Sequence, residues 1–185
     1  MCVVDAEAKE AAVARFLREH PEAGKPASAH PALQSCTDAV WSGVAGCPAG
    51  IPALFHCLPD QAAGPEAVAV LGNVLMDDIF HVSAAMPAAL PFLIGLAADP
   101  DIPTRSDVVD LLALAAHLSA PVDADDERSV LLLGHDDDHP ERGRCRAAFR
   151  EHASALRALL DDTTLPDGFL SADDREGLRA AGALR

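Results

Sequence analysis

The stretch AALPFLIGLAADPDIPTRSDVVDLLALAAHL, residues 88–118, decides the fold of this 185-residue chain. Its first part is apolar on nearly every side, which is typical of a helix buried among neighbours. Asp99-Pro100-Asp101 predicts a turn, and the spacing of Thr104 and Asp107 resembles a capping box that opens a second helix. The stretch therefore predicts two consecutive helices, over 86–98 and 105–118.

The rest of the chain also predicts helices. Abundant Ala and Leu favour helix, whereas few aromatic and β-branched residues argue against a β-sandwich or barrel. In the first predicted helix, Lys9 is assigned to the polar face. Val130 to Leu133 is too short to assign to a strand or a helical turn. The other predicted helices cover residues 5–20, 31–45, 51–58, 67–80 and 141–160, and Ser171 with Asp174 caps a last helix ending near Leu184. We therefore expect one all-α domain over 1–185.

Three segments share an Ala-Leu-rich pattern, at residues 53–60, 89–96 and 155–162. Their spacing predicts stacked helical hairpins, and chance similarity between Ala-Leu-rich helices is the alternative. With its proline-containing apolar helix, D-P-D turn and second Leu/Ala helix, residues 88–118 resemble the HEAT-like repeat proteins common in GC-rich bacteria. The resemblance covers 65–162. It implies a short α-solenoid of antiparallel helix pairs over 61–185, behind an irregular N-terminal helical cap over 1–60, and a protein-binding scaffold, although some HEAT-like proteins are enzymes.

The charge balance restricts the partners of the protein. Lys and Arg number 14 against 29 Asp and Glu, so the formal net charge is −15. Such a chain repels nucleic acid and anionic membrane surfaces, because both carry negative charge. The basic cluster at Arg142, Arg144, Arg146 and Arg150 directly follows Asp136–Asp138, which indicates an internally paired surface. We expect neither nucleic acid nor membrane as a partner.

The cysteines and the N-terminal sequence indicate a cytoplasmic protein. No stretch is long enough to span a bilayer, and residues 1–5 lack the basic and apolar regions of a signal peptide. The cysteines are odd in number and form no C-x-x-C motif, so we expect reduced, mostly buried thiols. They are Cys2, Cys36, Cys47, Cys57 and Cys145.

A polar stripe in the predicted helix 67–80 is the leading candidate site. Asn73, Asp77 and His81 are spaced four residues apart, and Asp78 precedes His81 by three. On a helix these four side chains share one face among apolar neighbours. One interpretation is a pocket wall in which a carboxylate orients His81 as a general acid or base. The alternative is a solvent-facing stripe, with His81 near the negative end of the helix dipole.

Three further features have weaker chemical signals. The string His135-Asp136-Asp137-Asp138-His139 lies between Gly134 and Pro140, so we interpret it as a solvated acidic loop, with adventitious metal binding as the alternative. His56 is interpreted as a core histidine and alternatively as a ligand contact. Trp41 is a core residue or, if it is exposed, an anchor for a ligand or partner. We predict no metal site and no cofactor.

Two functions remain open from the sequence. The first is a non-catalytic interaction module that binds a protein or peptide on its concave face, with a basic partner favoured by the acidity. The second is a small cofactor-free enzyme that performs cyclisation, isomerisation or elimination on a small molecule. Its catalytic residues are His81 with Asp77 or Asp78, and Asn73 and His56 are ligand contacts. A fold does not choose between these functions, and the oligomeric state stays open.

Overall fold

The computed structural model describes residues 5–22, 30–165 and 169–184, which fold into α-helices and connecting loops. This confirms the predicted all-α class. The sole β pairing in these ranges is an isolated antiparallel bridge between Met76 and Val82. Two short 3-10 helices cover Pro31–Leu33 and Asp136–Asp138. The α-helices are α1 (Ala6–Glu19), α2 (Asp38–Trp41), α3 (Ile51–Cys57), α4 (Gly64–Leu75), α5 (Met86–Ala97), α6 (Arg105–Leu118), α7 (Glu127–Leu133), α8 (Pro140–Glu151), α9 (Ala153–Leu160) and α10 (Ala172–Ala181).

The helix α5 lies in the core, as its apolar sequence predicts. It packs against α6, α8, α9 and the 3-10 helix Pro31–Leu33. Pro87 occupies its first turn, where the missing N–H has no intrahelical acceptor to lose. Close approach to the 3-10 helix depends on Gly95, because a Cβ added there would lie 2.7 Å from the Cβ of Ala32. The helix begins at Met86, so Pro91 lies inside it.

The two predicted capping boxes have different outcomes. At α10 the box is confirmed, because the Asp174 N–H donates to Ser171 Oγ at 3.0 Å and the Ser171 N–H donates to Asp174 Oδ2 at 3.2 Å. At α6 the predicted box is wrong. Thr104 is buried, and its hydroxyl donates to the Leu58 carbonyl at 2.8 Å instead of capping its own helix. The Thr104 hydroxyl therefore satisfies a carbonyl at the end of α3, and its oxygen accepts no N–H from the first turn of α6.

Several predicted helix boundaries are wrong. The predicted helix 31–45 is a 3-10 turn followed by α2, because Thr37 adopts an extended conformation between them. The predicted helix 141–160 is divided at His152 into α8 and α9. The predicted helix 67–80 begins at Gly64 and ends at Leu75. Residues 130–133 belong to α7, which has no buried residue and leaves Leu131 84% exposed.

Two arginines of the predicted basic cluster are paired within the protein. Arg142 donates to the carbonyls of Ala120 at 2.9 Å and Leu133 at 3.1 Å, close to where α6 and α7 end. Arg146 donates to the Ser119 carbonyl at 2.6 Å and to Asp136 Oδ2 at 2.8 Å. Cationic side chains at helix C-termini satisfy carbonyls that have no intrahelical partner. These arginines therefore hold the loops after α6 and α7 against α8.

Helix length and cysteine burial agree with two expectations from the sequence, namely no segment that spans a bilayer and mostly buried thiols. Within the described ranges no helix is both long and apolar enough to cross a membrane. Cys36, Cys57 and Cys145 are buried, and Cys47 is partly buried. Burial raises the pKa of Cys36 and Cys57 to about 11 and that of Cys145 to about 12, so these thiols are weak nucleophiles. Cys2 lies outside the described residues.

Candidate functional site

The predicted catalytic residues lie in the loop between α4 and α5, residues 76–85, which we call the α4–α5 loop. The loop is closed by the antiparallel bridge between Met76 and Val82, which is formed by two backbone hydrogen bonds. The Asp77 N–H donates to the His81 carbonyl at 2.9 Å, and the Ser83 N–H donates to the Leu75 carbonyl at 2.8 Å. The loop is therefore a defined turn structure that fixes the positions of its polar side chains.

The prediction of one helical stripe is wrong, because α4 ends before Asp77. Met76 is extended, with φ −114° and ψ 141°. The Asp78 carboxylate accepts the Phe80 N–H at 2.7 Å, a local bond that competes with helical hydrogen bonding. Asn73 stays exposed on α4 and does not join the other three residues. The structure nevertheless brings Asp78 and His81 together, through a turn instead of a helix.

Asp78 and His81 form a carboxylate–imidazole pair. The His81 Nδ1 atom lies 2.8 Å from Asp78 Oδ1 and 3.0 Å from Oδ2. Both side chains are mostly buried, with 18% of His81 and 9% of Asp78 exposed. Burial acts to raise the pKa of Asp78, but hydrogen bonds from the Phe80 N–H and from His81 outweigh it and hold the pKa below its usual value. Asp78 is therefore an ionised acceptor that orients the ring of His81.

The ring of His81 also contacts the acidic loop that precedes α8. It stacks on His139 with 4.4 Å between ring centroids and 23° between ring planes. His139 Nδ1 lies 3.1 Å from Glu141 Oε1, so each imidazole has its own carboxylate. Gly134, at φ 69°, makes room for this arrangement, because a Cβ there would lie 2.6 Å from His139 Nε2. The loop that we interpreted as a solvated acidic loop is thus joined to the α4–α5 loop through His139.

The partner of Asp77 was not predicted. Lys9 is buried on α1, on the same face as Val13 and Phe16, and its ammonium lies 2.5 Å from Asp77 Oδ1. The side chain of Lys9 is 5% exposed, whereas that of Asp77 is 50% exposed. The assignment of Lys9 to a solvated face is therefore wrong. The i, i+4 and i+7 spacing of Lys9, Val13 and Phe16 was the available signal for its burial.

A small cavity adjoins the Lys9–Asp77 pair. Its volume is about 100 Å³, and both charged residues line it together with Ser83. Ser83 is buried. Its Oγ accepts the Ala85 N–H at 3.3 Å. The remaining wall consists of small residues, namely Ala6, Ala45, Gly46, Ala84 and Ala85. This arrangement offers a cation, an anion and a hydroxyl to a small polar molecule.

A second candidate site is a groove between α4 and α6, which we call the α4–α6 groove. It has a volume of about 410 Å³. Leu114 is 40% exposed beside it. Burial, followed by the charges of Asp107 and Asp174, raises the pKa of Asp110 above its usual value. The groove thus combines an apolar floor with two carboxylates. Its lining residues are Pro65, Val68, Ala69, Asp107, Asp110, Leu111 and Leu114.

Trp41 and His56 belong neither to the Asp78–His81 pair nor to the Lys9–Asp77 pair. Trp41 is 4% exposed and packs against Phe55 and Phe92, with ring centroids 5.6 and 6.0 Å away. This burial favours the core interpretation of Trp41, although its side chain also lines a 410 Å³ groove beside Pro48. His56 is partly buried on α3. Neither residue joins Asp78 and His81.

The described residues contain no group of three or more His, Cys, Asp or Glu side chains that is arranged to hold a metal ion. The neighbouring His81 and His139 present stacked ring faces instead of converging nitrogens. Comparison of the chain with protein-family models, curated proteins and solved structures finds no significant match. The geometry of the two candidate sites is therefore the basis for proposing a function.

Proposed function

We propose that the protein is a non-catalytic interaction module that binds a basic, apolar segment of a partner protein in the α4–α6 groove. The observation that carries the proposal is the pairing of an apolar floor with Asp107 and Asp110. Among the described residues, neither carboxylate has a cationic partner within salt-bridge distance. An apolar groove whose carboxylates have no cationic partner favours a binding partner that supplies a cation.

The chemistry of the groove defines the partner segment. Apolar side chains of the partner segment would cover Leu111 and Leu114 of the groove. A lysine or arginine next to these apolar side chains in the segment would reach Asp110. The raised pKa of Asp110 supports this, because a cation beside it would stabilise the ionised carboxylate against the partial desolvation and the neighbouring negative charges. The net charge of −15 adds long-range attraction for a basic partner and repels a second copy of the same chain. The HEAT-like stack and its concave face remain predictions from the sequence resemblance.

Fluorescence anisotropy with a labelled amphipathic helical peptide tests this proposal. The probe has one leucine face and one lysine face, and its matched control carries glutamate in place of lysine. We expect saturable binding of the lysine peptide, weakened by salt. Asp107→Asn with Asp110→Asn removes two charges and should weaken binding more than ~10-fold, equivalent to about 1.4 kcal/mol.

A charge-matched variant separates the groove from general attraction. Asp101→Asn with Asp125→Asn removes the same two charges from exposed positions outside the groove. This control should retain binding. Equal weakening by both double variants, or no binding of the lysine peptide, would contradict the proposed groove.

The alternative enzyme function rests on the Asp78–His81 pair. A carboxylate 2.8 Å from His81 Nδ1 leaves Nε2 as the atom that exchanges a proton with a substrate. His81 does not line the cavities beside Asp77, Asp110, Trp41 and Arg146. This function predicts that His81→Ala abolishes turnover of the cognate small molecule while the helical circular dichroism signal is retained. Persistent turnover would exclude His81 as the base.

A further inference from the structure

The Lys9–Asp77 cavity contains hydrogen-bonding groups that the described residues leave unused. The Lys9 ammonium has three N–H donors, and Asp77 Oδ1 is its one acceptor among the described residues. Its side chain is 5% exposed, so bulk water has little access to the remaining donors. A buried ammonium with unused donors requires acceptors, because leaving them unpaired is unfavourable.

Asp77 and Ser83 also have hydrogen-bonding capacity that the described residues leave unused, Asp77 as an acceptor and Ser83 as a donor. Asp77 is half-exposed, and within the described ranges no donor bonds to its Oδ2 atom. The Ser83 hydroxyl accepts a hydrogen bond from the Ala85 N–H, while its own proton has no described acceptor. The cavity wall therefore presents donors from Lys9 and Ser83 and an acceptor from Asp77. This combination matches a molecule that has an anionic group and a cationic group close together.

We propose that this cavity binds a small zwitterion of the α-amino acid class. The ligand carboxylate contacts the Lys9 ammonium and the Ser83 hydroxyl, and the ligand ammonium contacts Asp77 Oδ2. A simple carboxylate would be repelled by Asp77, and a simple amine would be repelled by Lys9. Only a molecule that carries both charges pairs with Lys9 and with Asp77 at the same time. Repulsion between like charges therefore makes the cavity specific for zwitterions.

The size of the cavity restricts the side chain of the ligand. A volume of about 100 Å³ corresponds to roughly three water molecules in the liquid. The alanine and glycine residues that form the wall leave space for glycine or alanine but not for a large side chain. The proposal is independent of the α4–α6 groove, because the two cavities share no lining residue.

A titration of the full-length protein followed by ¹H–¹⁵N NMR tests the proposal, with L-alanine as the probe. Acetate and ethylamine are the single-charge controls, and all three are titrated at neutral pH and equal ionic strength. We expect saturable shifts for the backbone amides of Ala45, Gly46 and Ser83 with alanine. Acetate and ethylamine should each bind about tenfold more weakly or not at all, since each lacks one charged contact.

Two variants test the site itself. Asp77→Asn retains an acceptor for Lys9 but removes the charge that attracts the ligand ammonium, so alanine binding should weaken about tenfold. Ala6→Leu leaves every charged group in place and fills the cavity from an exposed position, so it should abolish binding without unfolding the protein. Asp137→Asn, at an exposed position outside the cavity, is the charge-matched control and should bind alanine normally.

Each remaining outcome contradicts the proposal. Absence of saturable shifts would show that water alone occupies the cavity. Equal binding of acetate and alanine would identify an anion site instead of a zwitterion site. Undiminished binding by Ala6→Leu would place the ligand elsewhere. If Asp77→Asn does not fold, the Ala6→Leu result and the comparison of the three probes still decide the question.

Discussion

The Lys9–Asp77 pair gives an asymmetric prediction for stability. Its two members differ tenfold in exposure, with 5% of the Lys9 side chain and 50% of the Asp77 side chain accessible. Asp77→Ala leaves a buried ammonium without its carboxylate. Lys9→Met instead removes the buried charge and keeps a flexible apolar chain of similar length, while Asp77 turns to water. We therefore expect Asp77→Ala to be the more destabilising substitution.

The magnitudes follow from the burial of each partner. Removing one member of a fully buried pair costs about 3–5 kcal/mol. Because Asp77 is half-exposed, water replaces part of the lost interaction, and the expected loss is close to that of a charged hydrogen bond, about 2 kcal/mol. Lys9→Met should change the free energy of unfolding by less than about 1 kcal/mol, because an apolar side chain suits the buried site. In the double variant, the cost of Asp77→Ala should largely disappear.

Urea unfolding followed by the fluorescence of Trp41 measures these differences. Trp41 is the only tryptophan and is buried, so its emission reports loss of the core. For a domain of this size 1 kcal/mol corresponds to a shift of about 2–4 °C in melting temperature, so Asp77→Ala should lower it by roughly 4–8 °C. A Lys9→Met variant that is as unstable as Asp77→Ala would refute the reasoning. So would a double variant whose loss equals the sum of the single losses.

Three further predictions concern packing, acid stability and thiol reactivity. Gly95→Ala should destabilise the protein by about 1–3 kcal/mol despite the helix preference of alanine, because its Cβ would overlap that of Ala32. Adding Ala32→Gly should restore the melting temperature. Hydrogen bonds from Thr164 and Arg105 lower the pKa of Asp162 from 3.8 to about 2, so its stabilising effect is complete above pH 3.8 and is lost as the pH falls to 2. Asp162→Asn should therefore flatten that part of an acid titration followed by circular dichroism. In native protein at pH 8 the buried thiols of Cys36, Cys57 and Cys145 should react with a disulfide reagent far more slowly than in urea. Rapid native labelling of these three would contradict their burial.

Helices that bury an uninterrupted apolar face were predictable from the sequence. The predicted span 86–98 corresponds to α5, and the predicted span 105–118 corresponds to α6. Their apolar residues leave few alternatives, because exposing either helix would place a large apolar surface in water. The end of α4 was not predictable by the same argument. Apolar residues such as Ile79 and Phe80 continue the pattern, but Ile79 is 73% exposed, and the Asp78 side chain supplies the competing hydrogen bond.

The candidate site was predictable only where it depends on residues close in sequence. Asp78 and His81 are three residues apart, so a helix and a turn both allow their contact. Lys9 is 68 residues from Asp77, and His139 is 58 residues from His81, and no local spacing indicates such contacts. From the sequence Lys9 is assigned to the polar face of α1, and the choice of Asp77 as its partner depends on how α1 packs against α4.

The early end of α4 is what allows the α4–α5 loop to contact two distant parts of the chain. On a continuous helix, Asp77 and His81 would lie one turn apart on one face and would meet the same neighbour. In the turn, Asp77 instead contacts Lys9 of α1, while His81 stacks on His139 before α8. The backbone bond from the Asp77 N–H to the His81 carbonyl joins these two contacts directly. A ligand that binds Asp77 in the small cavity therefore contacts the same closed turn that holds His81. This turn physically connects the Lys9–Asp77 cavity with the Asp78–His81 pair.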